Sequence, residues 1–305
     1  MNHYTTKQFQ IMTDVGLAWD LMTDAWGPDE YNCSAAPFFE YAVSSSWLNK
    51  DYLYLDRFWL EGDQAAAFVF YEQPVSKIHF ILRPGHEALA DEMIRYAEEA
   101  FPEQEGQKTF VLNQKQTVLR EAAEKRGYHP KDDETWRMFD FRTGKLEYPL
   151  PEGFHFVPHR DSDPLKIAKC LWDGFNSEEL GPFQDWDVVT HNDGRSPYEL
   201  YHNVLKCGLA PSPHATYEDE VIIANAEGKY VCYSGMWWVE KNKLAYMEPL
   251  CTVPAYQRKG LAAAALSEHD RRLRPRGAVL MTGGGNEFYR KIGFGTEVHE
   301  LYYMK

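Results

Sequence analysis

Three mostly apolar runs, Val221–Ala226, Tyr230–Glu240 and Leu244–Thr252, follow one another with short polar breaks at Glu227-Gly228-Lys229 and Lys241-Asn242-Lys243. Runs of this length between turn-forming residues predict an antiparallel β-meander. A strand over Phe154–Pro158 and an amphipathic helix over Pro164–Phe175 precede it. After it come a helix over Leu261–Leu273, a buried strand over Ala278–Met281, a short helix over Asn286–Ile292 and strand-like sequence over Phe294–Met304.

The first half of the chain repeats this order. Tyr52–Leu60 and Gln64–Tyr71 read as a hairpin around Glu61-Gly62-Asp63, and Lys77–Leu82 as the next strand. His86–Phe101 then reads as a helix, Thr109–Leu112 as a strand, Thr117–Lys125 as a helix and Trp136–Arg142 as a final strand. The hairpin glycines Gly62 and Gly228 are 166 positions apart. Gly127 and Gly293 have the same separation of 166, and each ends a helix and precedes an aromatic residue, Tyr128 or Phe294. Between the halves, Thr143–Gly153 holds two prolines and two glycines and breaks every periodic pattern, which marks a linker. The pattern thus predicts an α/β (α+β) protein of two tandem domains, residues 1–146 and 152–305. Each is a mixed, mostly antiparallel sheet flanked by helices.

Composition narrows the function classes. A chain of 305 residues, 44% hydrophobic and 15% aromatic, has room for two domains with separate cores. Its five cysteines (Cys33, Cys170, Cys207, Cys232, Cys251) lack CxxC spacing, so reduced thiols in the cytoplasm are expected, without a metal site or a disulfide framework. The N-terminal residues lack the basic-then-apolar order of a secretory signal, and runs such as Ala65–Tyr71 are too short to span a bilayer. A net charge of −14 argues against nucleic acid as a partner. It points only weakly to a cationic acceptor, and more simply to a surface that keeps the protein soluble.

The chemistry is concentrated near the end of the chain. Gln257-Arg258-Lys259-Gly260-Leu261-Ala262 places a glycine at the start of a helix, directly after a strand ending near Thr252-Val253-Pro254. Free N–H groups converge at a helix N-terminus, and glycine allows a diphosphate to approach them closely. Downstream lies Asn286-Glu287-Phe288-Tyr289-Arg290-Lys291-Ile292-Gly293-Phe294. The two segments together resemble the GNAT superfamily of acyl-CoA-dependent N-acetyltransferases. Gln257, Gly260 and Ala262 fit that family's Q/R-x-x-G-x-G/A pyrophosphate loop, and Tyr289, Lys291, Gly293 and Phe294 fit its later helix end. The resemblance covers roughly residues 154–305.

The resemblance implies two GNAT-like domains, acetyl-CoA as co-substrate and no metal. It implies a cofactor site formed by Gln257, Arg258, Lys259, Gly260, Leu261 and Ala262, with the backbone of Leu250, Cys251 and Thr252 holding the pantetheine arm. Arg258 and Lys259 add positive charge near the phosphates. Asn286 either contacts the pantetheine or caps its helix. Tyr289 fits the family's tyrosine beside the thioester sulfur, where a phenol protonates the leaving thiolate. Subtracting 166 from Gly260 and Glu248 leads to Ile94 and Leu82, so the first half lacks both the loop and the acid and reads as a non-catalytic partner.

A free alkylamine has a pKa of about 10 and must lose a proton before it can attack. Glu248, the carboxylate in an otherwise apolar strand, is the candidate base, with a water chain as the alternative. Cys251 reads as a small apolar filler rather than a nucleophile. The basic run His269, Arg271, Arg272, Arg274 and Arg276 reads as a solvated helix face. Residues 176–215, with Glu178, Glu179, Phe183, Asp185, Trp186, Asp187 and Tyr198, either fold over the acceptor or bury a domain interface. Trp237 and Trp238 are expected on opposite faces of their strand. The function expected is acetyl transfer to a primary amine of a small molecule by a monomer or homodimer. An acetyl-CoA-binding sensor or assembly module is the alternative, and a protein or peptide acetyltransferase is a third reading.

Overall fold

The computed structural model describes residues 4–29, 34–45, 48–177, 183 and 212–305. In chain order its first elements are β1 (Thr5–Gln8), α1 (Val15–Ala25), α2 (Ala36–Ser44), β2 (Arg57–Glu61), β3 (Gln64–Glu72), β4 (Lys77–Leu82), α3 (Ala90–Ala100), β5 (Thr109–Asn113), α4 (Thr117–Lys125) and β6 (His129–Asp140). There follow β7 (Phe154–Val157), α5 (Pro164–Gly174), β8 (Val221–Asn225), β9 (Tyr230–Val239), β10 (Leu244–Thr252), α6 (Leu261–Leu273), β11 (Leu280–Thr282), α7 (Glu287–Ile292) and β12 (Thr296–Met304). By packing, the chain divides into two compact units. Met1–Val43, Leu48–Trp136 and Glu297–Lys305 form the first, and Ser44–Trp47 and Arg137–Thr296 form the second.

In the first unit β1, β2, β3 and β4 pair antiparallel in sequence, β4 pairs parallel with β5, and β5 pairs antiparallel with β12. The crossover between the parallel strands is α3, whose buried Ala90, Met93, Ile94 and Ala97 recur at helical spacing and form one apolar face. The opposite face of the sheet is aromatic: Phe58 stacks on Phe68 at 4.1 Å, and Phe9 and Phe39 pack edge to face at 5.3 Å. Tyr128, after the glycine that ends α4, stacks on Phe110 of β5 at 4.1 Å.

The second unit has the same plan. β7, β8, β9 and β10 pair antiparallel, β10 pairs parallel with β11, and β11 pairs antiparallel with residues 138–140 of β6. Helix α5 starts where Asp163 accepts hydrogen bonds from the Leu165 and Lys166 amides (2.9 and 3.4 Å), with Pro164 in its first turn. Phe294, after the glycine that ends α7, packs against Tyr289 (5.2 Å) and Phe139 (5.6 Å). The 166-residue repeat thus corresponds to a repeated strand order, and the glycine–aromatic pairs bury equivalent rings.

The units differ from two consecutive halves in one respect. The last position beside the parallel pair is taken in the first unit by β12, from the end of the chain. In the second unit it is taken by the end of β6, from the first half. The expected division at 1–146 and 152–305 follows the linker, whereas the packing follows these exchanged closing strands. Smaller differences have local causes. Residues 50–55 form a 3-10 turn rather than the start of a strand, because Asn49 Oδ1 caps the Asp51 amide at 3.0 Å. β6 starts at His129 rather than Trp136, since its first residues are exposed and polar and carry no apolar pattern. β1, α1 and α2 fall where the apolar pattern assigned nothing.

Candidate functional site

The parallel pair in the second unit is short. Only Leu244 faces Leu280 and Ala245 faces Met281; the Met247 amide then donates to Thr282 Oγ1 at 2.7 Å. Beyond that point β10 continues beside β9 alone, with Leu250, Cys251 and Thr252 opposite Ser234, Tyr233 and Cys232. The register breaks between Met247 and Leu250, where Pro249 has no N–H to give to a ladder. β10 and β11 therefore part, and Glu248, half-buried, lies at the parting. Cys251 is buried against α5: a Cβ built on Gly174 would stand 2.6 Å from its sulfur, and the thiol donates to the Cys170 carbonyl at 3.7 Å. It fills space between strand and helix, and only its backbone and that of Leu250 and Thr252 run along the opening.

Past Thr252 the chain makes a 3-10 turn, Pro254–Tyr256, and Gln257 Nε2 reaches back to the Thr252 carbonyl at 3.2 Å. Gln257, Arg258, Lys259 and Gly260 are exposed. Gly260 has φ +86°, a conformation that a side chain disfavours, and no side chain caps the amides of the first turn of α6. Lys259 Nζ lies 5.1 Å above the Tyr256 ring, and Leu261 is buried as the helix begins. Uncapped amides, the positive end of a helix dipole and two cations in an open loop fit a bound diphosphate.

The other wall follows β11. Gly283 and Gly284 have no room for side chains: a Cβ on Gly283 would lie 2.8 Å from Tyr289 Cδ1, and one on Gly284 would lie 2.9 Å from Tyr289 Cε2. The glycines of this turn thus form the seat of the Tyr289 ring, a role that spacing alone does not reveal. Asn286 is exposed and caps α7, its Oδ1 accepting from the Phe288 amide at 3.1 Å. Tyr289 is 7% exposed and packs among Phe288, Phe294 and Met281. Burial, and secondarily the nearby Glu248 carboxylate, push its phenol above the ordinary range. The Tyr289 hydroxyl makes no hydrogen bond among the described residues.

The basic run is absorbed by structure. His269 is fully buried, bonds Ser234 Oγ at 2.9 Å and is held neutral by burial, its pKa lowered to about 3. Arg271 and Arg272 both bind Glu268, Arg274 binds Asp270, and Arg276 binds Asp219 while lying 5.0 Å over Trp238. Trp238 sits in the cluster with Met236 and Leu266, and Trp237 is buried as well. Phe183 packs edge to face on Trp172 at 6.3 Å. Glu178, Glu179, Asp185, Trp186, Asp187 and Tyr198 lie outside the described residues.

The first unit differs at the corresponding place. There β4 and β5 pair only from Lys77 to His79 with Thr109 to Val111. The next gap is filled by Gln116, which is buried. Its Nε2 donates to the Phe80 carbonyl at 2.8 Å and its Oε1 accepts from the Asn113 amide at 2.8 Å. One side-chain amide bridges the parted strands, where the second unit has glycines.

Among the described residues no group of His, Cys, Asp and Glu is arranged to hold a metal ion, and no helix is long and apolar enough to cross a membrane. No protein-family profile and no curated protein matches the chain. Solved structures do. A GNAT-family acetyltransferase from Colwellia psychrerythraea is similar over 99% of this chain and 100% of its own, with TM-score 0.61 at 8% identity. A tandem GNAT protein from the clavulanic acid biosynthesis pathway is similar over 99% of this chain and 98% of its own, with TM-score 0.57 at 14% identity. A GCN5-related N-acetyltransferase from Sphaerobacter thermophilus is similar over 99% and 95%, with TM-score 0.56 at 15% identity. At these identities the likeness is one of fold, and the fold is that of tandem GNAT proteins.

Proposed function

We propose that the second unit is an acyl-CoA-dependent N-acetyltransferase that moves an acetyl group from acetyl-CoA directly to a primary amine of a small molecule. One arrangement carries the reading: β10 and β11 part after Ala245 and Met281, the uncapped start of α6 follows one strand, and Tyr289 on its glycine seat follows the other. Acetyl-CoA would bring an activated thioester carbonyl into that opening. Its diphosphate suits Gln257–Ala262, with charge from Arg258 and Lys259, and its pantetheine arm suits the backbone of Leu250, Cys251 and Thr252.

Glu248 takes the proton that the acceptor ammonium must lose, directly or through water. As the tetrahedral adduct collapses, Tyr289 Oη donates a proton to the departing thiolate, and the surplus proton on the attacking nitrogen returns to the phenolate through water. Burial beside Glu248 keeps that phenol protonated across the neutral range, so the donor is always loaded. Asn286 serves by capping and orienting the helix that carries Tyr289.

Calorimetric titration with acetyl-CoA tests the binding half of this reading. Gly260→Val is expected to weaken acetyl-CoA at least about tenfold, since it strains the loop and crowds the amides. A complex crystal structure is expected to put the thioester sulfur within hydrogen-bond reach of Tyr289 Oη, roughly 3 Å. Unchanged affinity in the valine variant, or a sulfur remote from Tyr289, would refute the assignment.

A further inference from the structure

Thr282, the last residue of β11, holds the closed end of the opening. Its Oγ1 accepts from the Met247 amide at 2.7 Å, the last tie between β10 and β11 before they part. A hydroxyl that accepts one bond still has its own proton to give. Thr282 is only 8% exposed, and nothing among the described residues accepts that proton. A buried donor left without an acceptor is costly, so its retention calls for a use.

The surroundings narrow what that use is. β10 offers no backbone donor beside Thr282: the Met247 amide is taken, and Pro249, two residues on and so facing the same neighbour, has no N–H. The branched side chain has few χ1 choices, and the bond received from Met247 polarises the hydroxyl and strengthens it as a donor. The Tyr289 phenol lies close along the chain, since a Cβ on Gly284 would stand 3.7 Å from Tyr289 Cζ, the carbon that bears the hydroxyl. Gly284 is two residues past Thr282, at most about 7 Å by the reach of the chain. The sulfur and carbonyl oxygen of one thioester, each in a hydrogen bond of roughly 3 Å, fit between two hydroxyls at such a spacing. In the first unit the residue that follows the last parallel pair is Leu112, which has no donor.

We propose that the Thr282 hydroxyl is a catalytic donor to the carbonyl oxygen of the thioester. The proposal rests on the transfer reading above, in which neither Thr282 nor any other group has been given the charge that develops on that oxygen. As the amine lone pair forms the new C–N bond, the carbonyl π electrons move onto oxygen. Thr282 holds this oxyanion by a hydrogen bond and keeps its own proton. The electron pair returns to carbon as the C–S bond breaks, and the thiolate takes its proton from Tyr289.

Infrared difference spectra of the full chain with acetyl-CoA, labelled with heavy carbon at the carbonyl, test this, because a hydrogen bond lowers the carbonyl stretching frequency. The bound carbonyl is expected below its position in hydrocarbon solvent, to move up in Thr282→Val, and to stay in place in Thr282→Ser, which keeps the donor. With an accepted amine, Thr282→Val should lose about 100-fold in kcat at nearly unchanged acetyl-CoA affinity, and Thr282→Ser far less. A merely structural tie to Met247 would change the melt and leave the carbonyl band where it was. Should Thr282→Val fail to melt cooperatively, the wild-type band decides: at the hydrocarbon position, it overturns the proposal. The same band in wild type and folded Thr282→Val would overturn the donor and leave the transfer reading standing, whereas no binding of acetyl-CoA by wild type would overturn both.

Discussion

Tyr289 owes its position to neighbours without side chains. Gly284→Ala places a methyl group 2.9 Å from its ring, so the ring must shift. A misplacement of about 1 Å costs up to about 100-fold in rate, and this variant is expected to lose between tenfold and 100-fold in kcat at nearly unchanged acetyl-CoA affinity. His269 makes a prediction of a different kind. Its native pKa of about 3 lies below the unfolded value of about 6.5, so over that interval the unfolded chain binds more protons. Its contribution is complete above pH 6.5 and is lost as pH falls toward 3, at up to about 1.4 kcal/mol per pH unit. Urea melts of wild type and His269→Gln, which can keep the bond to Ser234, should show a shallower loss between pH 6.5 and 5 in the variant. Equal slopes would contradict a neutral buried imidazole.

At the scale of elements, one difference separates the two parallel pairs: Gln116 bridges the gap in one unit, and glycines leave it open in the other. Gln116→Ala removes two buried hydrogen bonds and leaves the Phe80 carbonyl and Asn113 amide unpaired, an expected loss of about 2–4 kcal/mol in thermal or urea unfolding. Acetyl transfer measured on the folded variant should not change; a parallel loss of rate would show that the first unit takes part in it. Most of this level was legible in advance. The meander, α6, the loop at Gly260 and the helix ending at Gly293 announce themselves through apolar runs and turn residues. The bridge did not, because a glutamine before a helix looks like any polar start. The glycine seat was not legible either, since that contact joins residues on either side of a turn. The start of β6 was hidden by its exposed polar residues, and α1 and α2 carry too little alternation of apolar and polar faces to stand out. The basic run was read as a helix face, and the structure shows the carboxylates that balance it: Glu268, Asp270 and Asp219.

At the scale of the whole molecule, the exchanged closing strands mean that a cut at the linker is not a cut between folding units. A strand pattern identifies a strand but not its partner, so the exchange could not be read from the sequence. A chain ending at residue 146 lacks β12 and leaves the edge of β5, with Phe110, Val111 and Leu112, unpaired. It is expected to aggregate or melt without cooperativity, and a chain ending at residue 296 should fail in the same way; a monomeric, cooperatively melting fragment 1–146 would show that β12 is dispensable. On the function proposed above the repeat divides labour, with the open gap, the phosphate-type loop and the tyrosine all in the second unit. The most direct test of that claim is the initial rate of free CoA thiol release from acetyl-CoA across a panel of small primary amines, for wild type and Tyr289→Phe. At least one amine should accelerate release in wild type, and the phenylalanine variant should lose about 100-fold or more in kcat while binding acetyl-CoA normally. Tight binding of acetyl-CoA with no amine-dependent release, or release that is indifferent to Tyr289, would contradict it.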